Sequence, residues 1–202
     1  MGKIDTNKQQ KESSLLKTAF EFFTTKGFSK TSISDIVGKA GVAKGTFYLY
    51  FKDKYDIRNR LVAHKSSQLL TNAVKALSPG LEQMEFEDKI ISILDNILGQ
   101  LNENQSLLTF ISKNLSWGLF KNTYSAPLAE DDVDFREIYH TMLEDAPCKF
   151  RDPEIMLFMI IELTSSTCHQ AILNKEPCDI ESLKPYLFQT VRLIINNHKL
   201  SE

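Results

Sequence analysis

The stretch Gly41–Lys54 reads G-V-A-K-G-T-F-Y-L-Y-F-K-D-K. On a helix, Val42, Phe47 and Phe51 fall on one side, able to pack on Ile33, Ile36 and Phe20. Lys44, Gly45, Thr46, Tyr48 and Tyr50 are left on other sides. That outer set is small, polar or aromatic, with one cation near the helix start. It suits a helix end inserted into a DNA major groove, where bulk would clash. Gly45 costs a helix roughly 1 kcal/mol against alanine, and close approach of the backbone to a partner accounts for it. Thr46, Tyr48 and Tyr50 can donate hydroxyl hydrogen bonds to phosphates, and Lys52 and Lys54 add cations. A plainer arrangement fits the same residues, with both tyrosines in a core and both lysines on a solvated face. Spacing alone leaves the two readings open.

Working outward, the preceding residues form short helical segments. Leu16, Ala19, Phe20 and Phe23 make an apolar stripe over about Gln9–Lys26, closed by Gly27. Ser32 and Asp35 outline a capping box. Ile33, Ile36, Val37 and Ala40 repeat the helical spacing until Gly41 breaks it. A short helix, a glycine-bearing turn and a short helix of about Ala43–Phe51 outline a helix-turn-helix. Asp53 can cap a longer helix from Lys54 to about Leu77, with Ile57, Leu61, Leu69, Leu70 and Val74 apolar. Ser78-Pro79-Gly80 reads as a linker.

The charges divide near the same place. The 202 residues carry a net charge of −2. Residues 1–65 hold 13 Lys+Arg against 6 Asp+Glu, a balance of +7; residues 66–202 hold 11 against 20, a balance of −9. A basic head and an acidic body suggest modules with different partners. The three cysteines, Cys148, Cys168 and Cys178, give no disulfide framework and no zinc spacing. Cys168 adjoins His169, but neighbours on a helix point in different directions, so no metal site is expected. The polar N-terminus is not a secretory signal. The longest apolar run, Met156–Leu163, is short of the roughly 20 residues a membrane span needs, so a soluble, cytoplasmic protein without membrane contact is expected. His64, His140, His169 and His198 form no catalytic motif, and phosphate-binding glycine loops are absent. No enzyme activity, catalytic residue or cofactor is expected.

Residues 78–202 read as four or five further helices. Phe86, Ile90, Leu94, Ile97, Leu98 and Leu101 form one stripe. Leu107, Ile111 and Leu115 mark a helix ending near Asn122, before an irregular stretch with Pro127 and the acidic residues Glu130, Asp131, Asp132 and Asp134. Phe135, Ile138, Tyr139 and Met142 precede Pro147. Asp152-Pro153 opens a long helix to about Asn174 as N-cap and first-turn proline. Ile180–His198 closes the chain. The Met156–Leu163 segment is apolar all round and needs cover on more than one side. With the final helix, it fits either a buried monomer core or, as the sharper reading, a homodimer through a four-helix bundle, with Leu157, Ile161, Leu187, Val191 and Ile194 as interface candidates.

The N-terminal pattern resembles the TetR family (TetR/AcrR type) of bacterial transcriptional regulators. It carries Gly27-Phe28, Thr31-Ser32-Ile33, Ile36, Ala40-Gly41-Val42, Lys44-Gly45-Thr46-Phe47-Tyr48, Tyr50-Phe51-Lys52 and Lys54. The resemblance covers about residues 9–60. It implies an all-α fold of about nine helices. A three-helix DNA-binding domain spans 1–53, with its helix-turn-helix at about 32–51. A connecting helix spans 54–77, and a helical ligand-binding and dimerisation domain spans 78–202. By position, Lys44 and Gly45 match the start of the recognition helix, where base edges are read. Thr46, Tyr50 and Lys54 match phosphate contacts, and Tyr48 an aromatic touching a thymine methyl or a phosphate. Ser32 and Ser34 match the backbone-facing end of the preceding helix. Two positions depart from the pattern: Ser34 stands where a long side chain is common, and Ala43 where Ser or Thr often caps.

The resemblance further implies a repressor that binds a palindromic double-stranded operator as a homodimer and is released by a small-molecule effector. A regulator whose C-terminal domain binds a protein partner is the alternative. Candidates for the effector pocket are Phe110, Trp117, Phe120, Tyr124, Tyr139, Met142, Phe158, Glu162 and His169. Glu162 and His169 stand out as polar groups among apolar neighbours, since a buried carboxylate needs a partner.

Overall fold

The computed structural model describes residues 3–81, 83–114 and 135–200. Among them are nine helices: α1 (Lys3–Thr25), α2 (Ile33–Ala40), α3 (Lys44–Tyr50), α4 (Lys54–Leu81), α5 (Phe86–Glu103), α6 (Gln105–Asn114), α7 (Phe135–Glu144), α8 (Pro153–Leu173) and α9 (Ile180–His198). The all-α class is the one the sequence predicts. The chain divides into two compact units, Met1–His64 and Lys65–Glu202, so the break falls inside α4, where the charge balance changes sign.

In the N-terminal unit, α2 packs against α1 and α3. Leu15, Ala19 and Phe23 of α1, Ile36 of α2, Phe47 of α3, Phe51 after it, and Ile57 and Leu61 of α4 are all buried. The inward edge of α1 starts at Leu15 rather than Leu16, which is half-buried. The i, i+4, i+8 row places three apolar groups one above another, and Thr18 is buried beside it.

In the C-terminal unit, α8 packs most extensively on α9 and also meets α6, while α5 meets α6 and α9. Phe86, Ile90, Leu98, Leu108, Tyr139, Met156, Ile160, Leu187, Val191 and Ile195 belong to one buried cluster. By length and composition α8 is apolar enough to cross a membrane. Here one side of it lies in that cluster, through Met156, Leu157, Ile160, Thr164 and Cys168, while Ile155, Phe158 and Met159 are exposed.

Two expectations need correcting. Helix α4 does not stop before Ser78-Pro79-Gly80 but continues to Leu81. Proline forgoes the bond its N–H would make to the carbonyl four residues back. So close to the helix end, that single loss leaves the turns before it intact. Asp152 does stand at the N-cap of α8, but in left-handed geometry (φ 47°) without a side-chain cap bond.

Candidate nucleic-acid interface

The turn between α2 and α3 follows from its residues. Gly41 adopts φ 68° and donates its N–H to Val37 O, a conformation that a side chain disfavours. At the other end of α2, Ser32 and Asp35 form the expected capping box. Ser32 Oγ accepts from Asp35 N at 3.1 Å, and Asp35 Oδ2 accepts from Ser32 N at 2.8 Å. The Ser32 backbone N–H, then its hydroxyl, hold the Asp35 carboxyl below its usual range. Ser32 is therefore committed to the cap, its hydroxyl also donating to Asp35 Oδ2 at 2.8 Å. Ser34, two residues on, is exposed.

Helix α3 has two unlike sides. Phe47 is completely buried, whereas Tyr48 is 53% and Leu49 79% exposed. Lys44, Gly45 and Lys52 are exposed, and Thr46 and Tyr50 are half-buried. Neither tyrosine is therefore a fully buried core aromatic. The cap at Ala43 is absent, as its side chain dictates. Leu49 was not singled out by sequence. An apolar residue in an apolar-rich run reads as core, and only its i, i+4 relation to Gly45 signals otherwise. A Cβ built on Gly45 would meet nothing within 4 Å. Among the described residues, no neighbour requires a glycine there.

The start of α4 is firmly tied. Asp53 Oδ1 accepts from Tyr55 N and Asp56 N, both at 2.8 Å, and Asp56 Oδ2 accepts from Lys52 N at 2.8 Å. Lys54 Nζ donates to Phe28 O and Thr31 O, each at 2.9 Å. It also sits 4.3 Å from the centroid of the Phe28 ring. The sequence could not show this, because the carbonyls belong to a turn more than twenty residues away.

In the C-terminal unit, the predicted sets are regrouped. Of the pocket candidates, Phe110, Tyr139 and Met142 are buried, and Tyr139 Oη donates to Pro153 O at 2.8 Å. Glu162 and Phe158 are exposed, so they are not enclosed polar or aromatic lining, and His169 is half-buried. The periodicity of an all-apolar helix does not say which side is inward, and Glu162 takes the wet side. Trp117, Phe120 and Tyr124 lie outside the described residues. A groove of about 320 Å3 includes Met84, Phe86, Lys89, Met142 and Asp145 in its lining, and of the candidates takes in Met142. Among the interface candidates, Leu157, Leu187 and Val191 are buried in the chain's own core, so they are not available to a partner. Ile161 and Ile194 are half-buried. The exposed apolar residues on these helices are Ile155, Phe158 and Met159 of α8, and Tyr186 and Leu193 of α9, the last two 70% and 62% exposed.

Comparison with known proteins agrees with this geometry. Residues 15–61 match the model of the TetR family of bacterial regulatory proteins. The HTH-type transcriptional regulator YvdT of Bacillus subtilis, itself uncharacterized, is 41% identical over 80 residues, which is 40% of this chain and 39% of that protein. The fatty acid metabolism regulator protein of the same organism is 38% identical over 63 residues, 31% of this chain and 32% of that protein. These matches thus span 39% and 32% of the relatives' lengths. The crystal structure of the regulator FadR from Bacillus subtilis in complex with stearoyl-CoA superposes with a TM-score of 0.64. It covers 91% of this chain and 97% of that one at 18% identity, which establishes a shared fold. The signature spanning the helix-turn-helix and its match to the family model show that residues 15–61 carry the N-terminal domain of the TetR family of bacterial regulatory proteins.

Proposed function

We propose that the protein is a DNA-binding transcriptional repressor whose α3 enters the major groove of a palindromic operator. The observation that carries this is the uncovered side of α3, where Lys44, Gly45, Tyr48 and Leu49 face outward from a helix anchored by buried Phe47. Lys44 and Gly45 read base edges, Tyr48 and Leu49 meet thymine methyls or sugar, and Thr46, Tyr50, Lys52 and Ser34 contact phosphates. Two copies are needed to match a palindrome with half-sites about 34–36 Å apart. The exposed apolar residues of α8 and α9 support a homodimer through those helices.

The acidic unit is the effector module. Its fold is that of a regulator crystallised with stearoyl-CoA, which makes acyl-CoA thioesters the first compounds to try. Effector and operator weaken each other's binding by the same factor, because both act on one equilibrium.

The test is selection of duplexes from a randomised pool, followed by titration of the winner at several salt concentrations. The expected result is an inverted repeat whose log affinity falls linearly with log salt. A slope near zero, or no sequence preference, overturns the DNA reading. If DNA binds but acyl-CoA leaves affinity unchanged while a co-purifying protein alters it, the partner-binding version of the C-terminal unit replaces the effector version.

A further inference from the structure

We propose that the outward side of α8 is a self-complementary interface, in which Glu162 of one copy of the chain pairs with His169 of a second copy. This deepens the homodimer reading given above and rests on it. At about 100° per residue, Ile155, Phe158, Met159, Glu162, Ser166 and His169 fall on one side of α8. The buried Met156, Ile160, Thr164 and Cys168 lie opposite. Of the outward set, the first five are exposed and His169 is half-buried. Neither Glu162 nor His169 has a side-chain partner among the described residues.

Once an apolar surface covers that side, Glu162 needs a counter-charge, because an enclosed lone carboxylate is costly. His169 is the one residue of α8 that can carry a positive charge. Helix α9, which packs on α8, offers no spare cation. Its Lys184 is held by Asp95 and Glu181, and its Arg192 by Asp88. His198 is buried, with Nδ1 2.8 Å from Ile194 O, and Tyr186 is exposed but not cationic. Helix α6 also meets α8, and the side chain of its one ionisable residue, Lys113, lies outside the described ones. Helix α7 meets the far end of α8, through Tyr139 Oη and Pro153 O.

Symmetry then selects the arrangement. In a parallel two-fold pair, each residue faces its own copy and Glu162 opposes Glu162. In an antiparallel pair centred between Ser165 and Ser166, Glu162 of each copy stands opposite His169 of the other. The same register sets Phe158 opposite Leu173 of the second copy, so apolar groups meet at both ends. Two small serines occupy the crossing point, where side-chain size sets how closely the helices approach. The two pairs lie about 10 Å apart, seven residues along the helix. A charge-assisted contact of this kind requires a protonated imidazole. The interface therefore tightens as pH falls from 8 to 6, a range in which a carboxylate stays ionised.

The test mixes two full-length variants, Glu162→Lys and His169→Glu, one of them labelled with nitrogen-15, and counts dimers by native mass spectrometry. Each homodimer lacks both attractive pairs, whereas the heterodimer regains both. The expected heterodimer share is above about 80%, against about 50% for random pairing. A share of about half overturns the pairing and leaves the dimer reading standing, as does a mixture that stays monomeric while wild type dimerises. A wild-type chain that is monomeric at micromolar concentration removes the dimer reading and the pairing with it. A second arm needs no charge reversal. By sedimentation of dye-labelled protein, wild type should dissociate with a constant at least about fivefold lower at pH 6 than at pH 8. His169→Gln should abolish that change, and His169→Lys should associate equally at both values. A pH response that survives His169→Gln, or none in wild type, overturns the proposal.

Discussion

Gly45→Ala separates what the fold wants from what a partner wants. Gly45 is the second residue of α3 and is exposed, and its glycine Cβ position is open to 4 Å. Alanine should therefore enter without a clash. In a helix interior that exchange gains roughly 0.5–1 kcal/mol. In the first turn the lower end applies, so about 0.5 kcal/mol of added stability is expected. Gly99, inside α5 and equally free of neighbours within 4 Å, is the control and should gain close to the full amount. Both gains are read as shifts of the denaturant midpoint at unchanged slope. The two variants then part company. Gly99→Ala should bind the selected duplex like wild type. Gly45→Ala should lose at least tenfold in affinity, about 1.4 kcal/mol, because a methyl now stands where the backbone approaches the groove. A Gly45→Ala protein that is stabilised and binds undiminished would show that the glycine is not kept for close approach. One that is destabilised would show that α3 does not have the open geometry described.

Further outcomes follow from the rest of the molecule. Leu187→Ala, in the buried cluster, should cost about 2–5 kcal/mol of stability by denaturant melts. Leu193→Glu should halve the solution mass by light scattering and keep the helix content; an unchanged mass removes α9 from the dimer interface. Asp35 and Asp179 have carboxyls held below their usual 3.8, each chiefly by a backbone N–H, from Ser32 and Ser182 respectively. Their stabilising effect is present above pH 3.8 and is lost as pH falls through the lower folded values. NMR titration of Ser32→Ala should show Asp35 moving back up. Burial pushes the Cys168 thiol up to about 11, whereas Cys148 and Cys178 are partly exposed. A thiol reagent at pH 8 should label those two first and reach Cys168 after unfolding.

The N-terminal unit was the legible part of the sequence. Its caps and turn are local. Ser32 and Asp35 are three residues apart, Gly41 stands where φ turns positive, and the apolar spacing of α2 and α3 selects Ile36 and Phe47 for burial. Such features depend on a few consecutive residues and survive in a one-dimensional reading. The C-terminal unit was less legible for a physical reason. Helix α8 is apolar on nearly all sides, so its sequence carries no phase. Leu157 and Phe158 look alike as letters, yet one is buried and the other exposed. Glu162 looked like an enclosed carboxylate for the same reason.

By itself, then, the sequence determined the helical class, the helix-turn-helix, its capping and the change of charge sign along the chain. Each is written in short-range spacing or composition. Tertiary structure alone decided which face of each long helix is covered, that Leu49 is exposed while Leu187 and Val191 are core, and that the Lys54 ammonium is bound to Phe28 and Thr31. Those outcomes depend on what residues distant in the chain place beside a side chain, and periodicity along one segment contains no record of its neighbours.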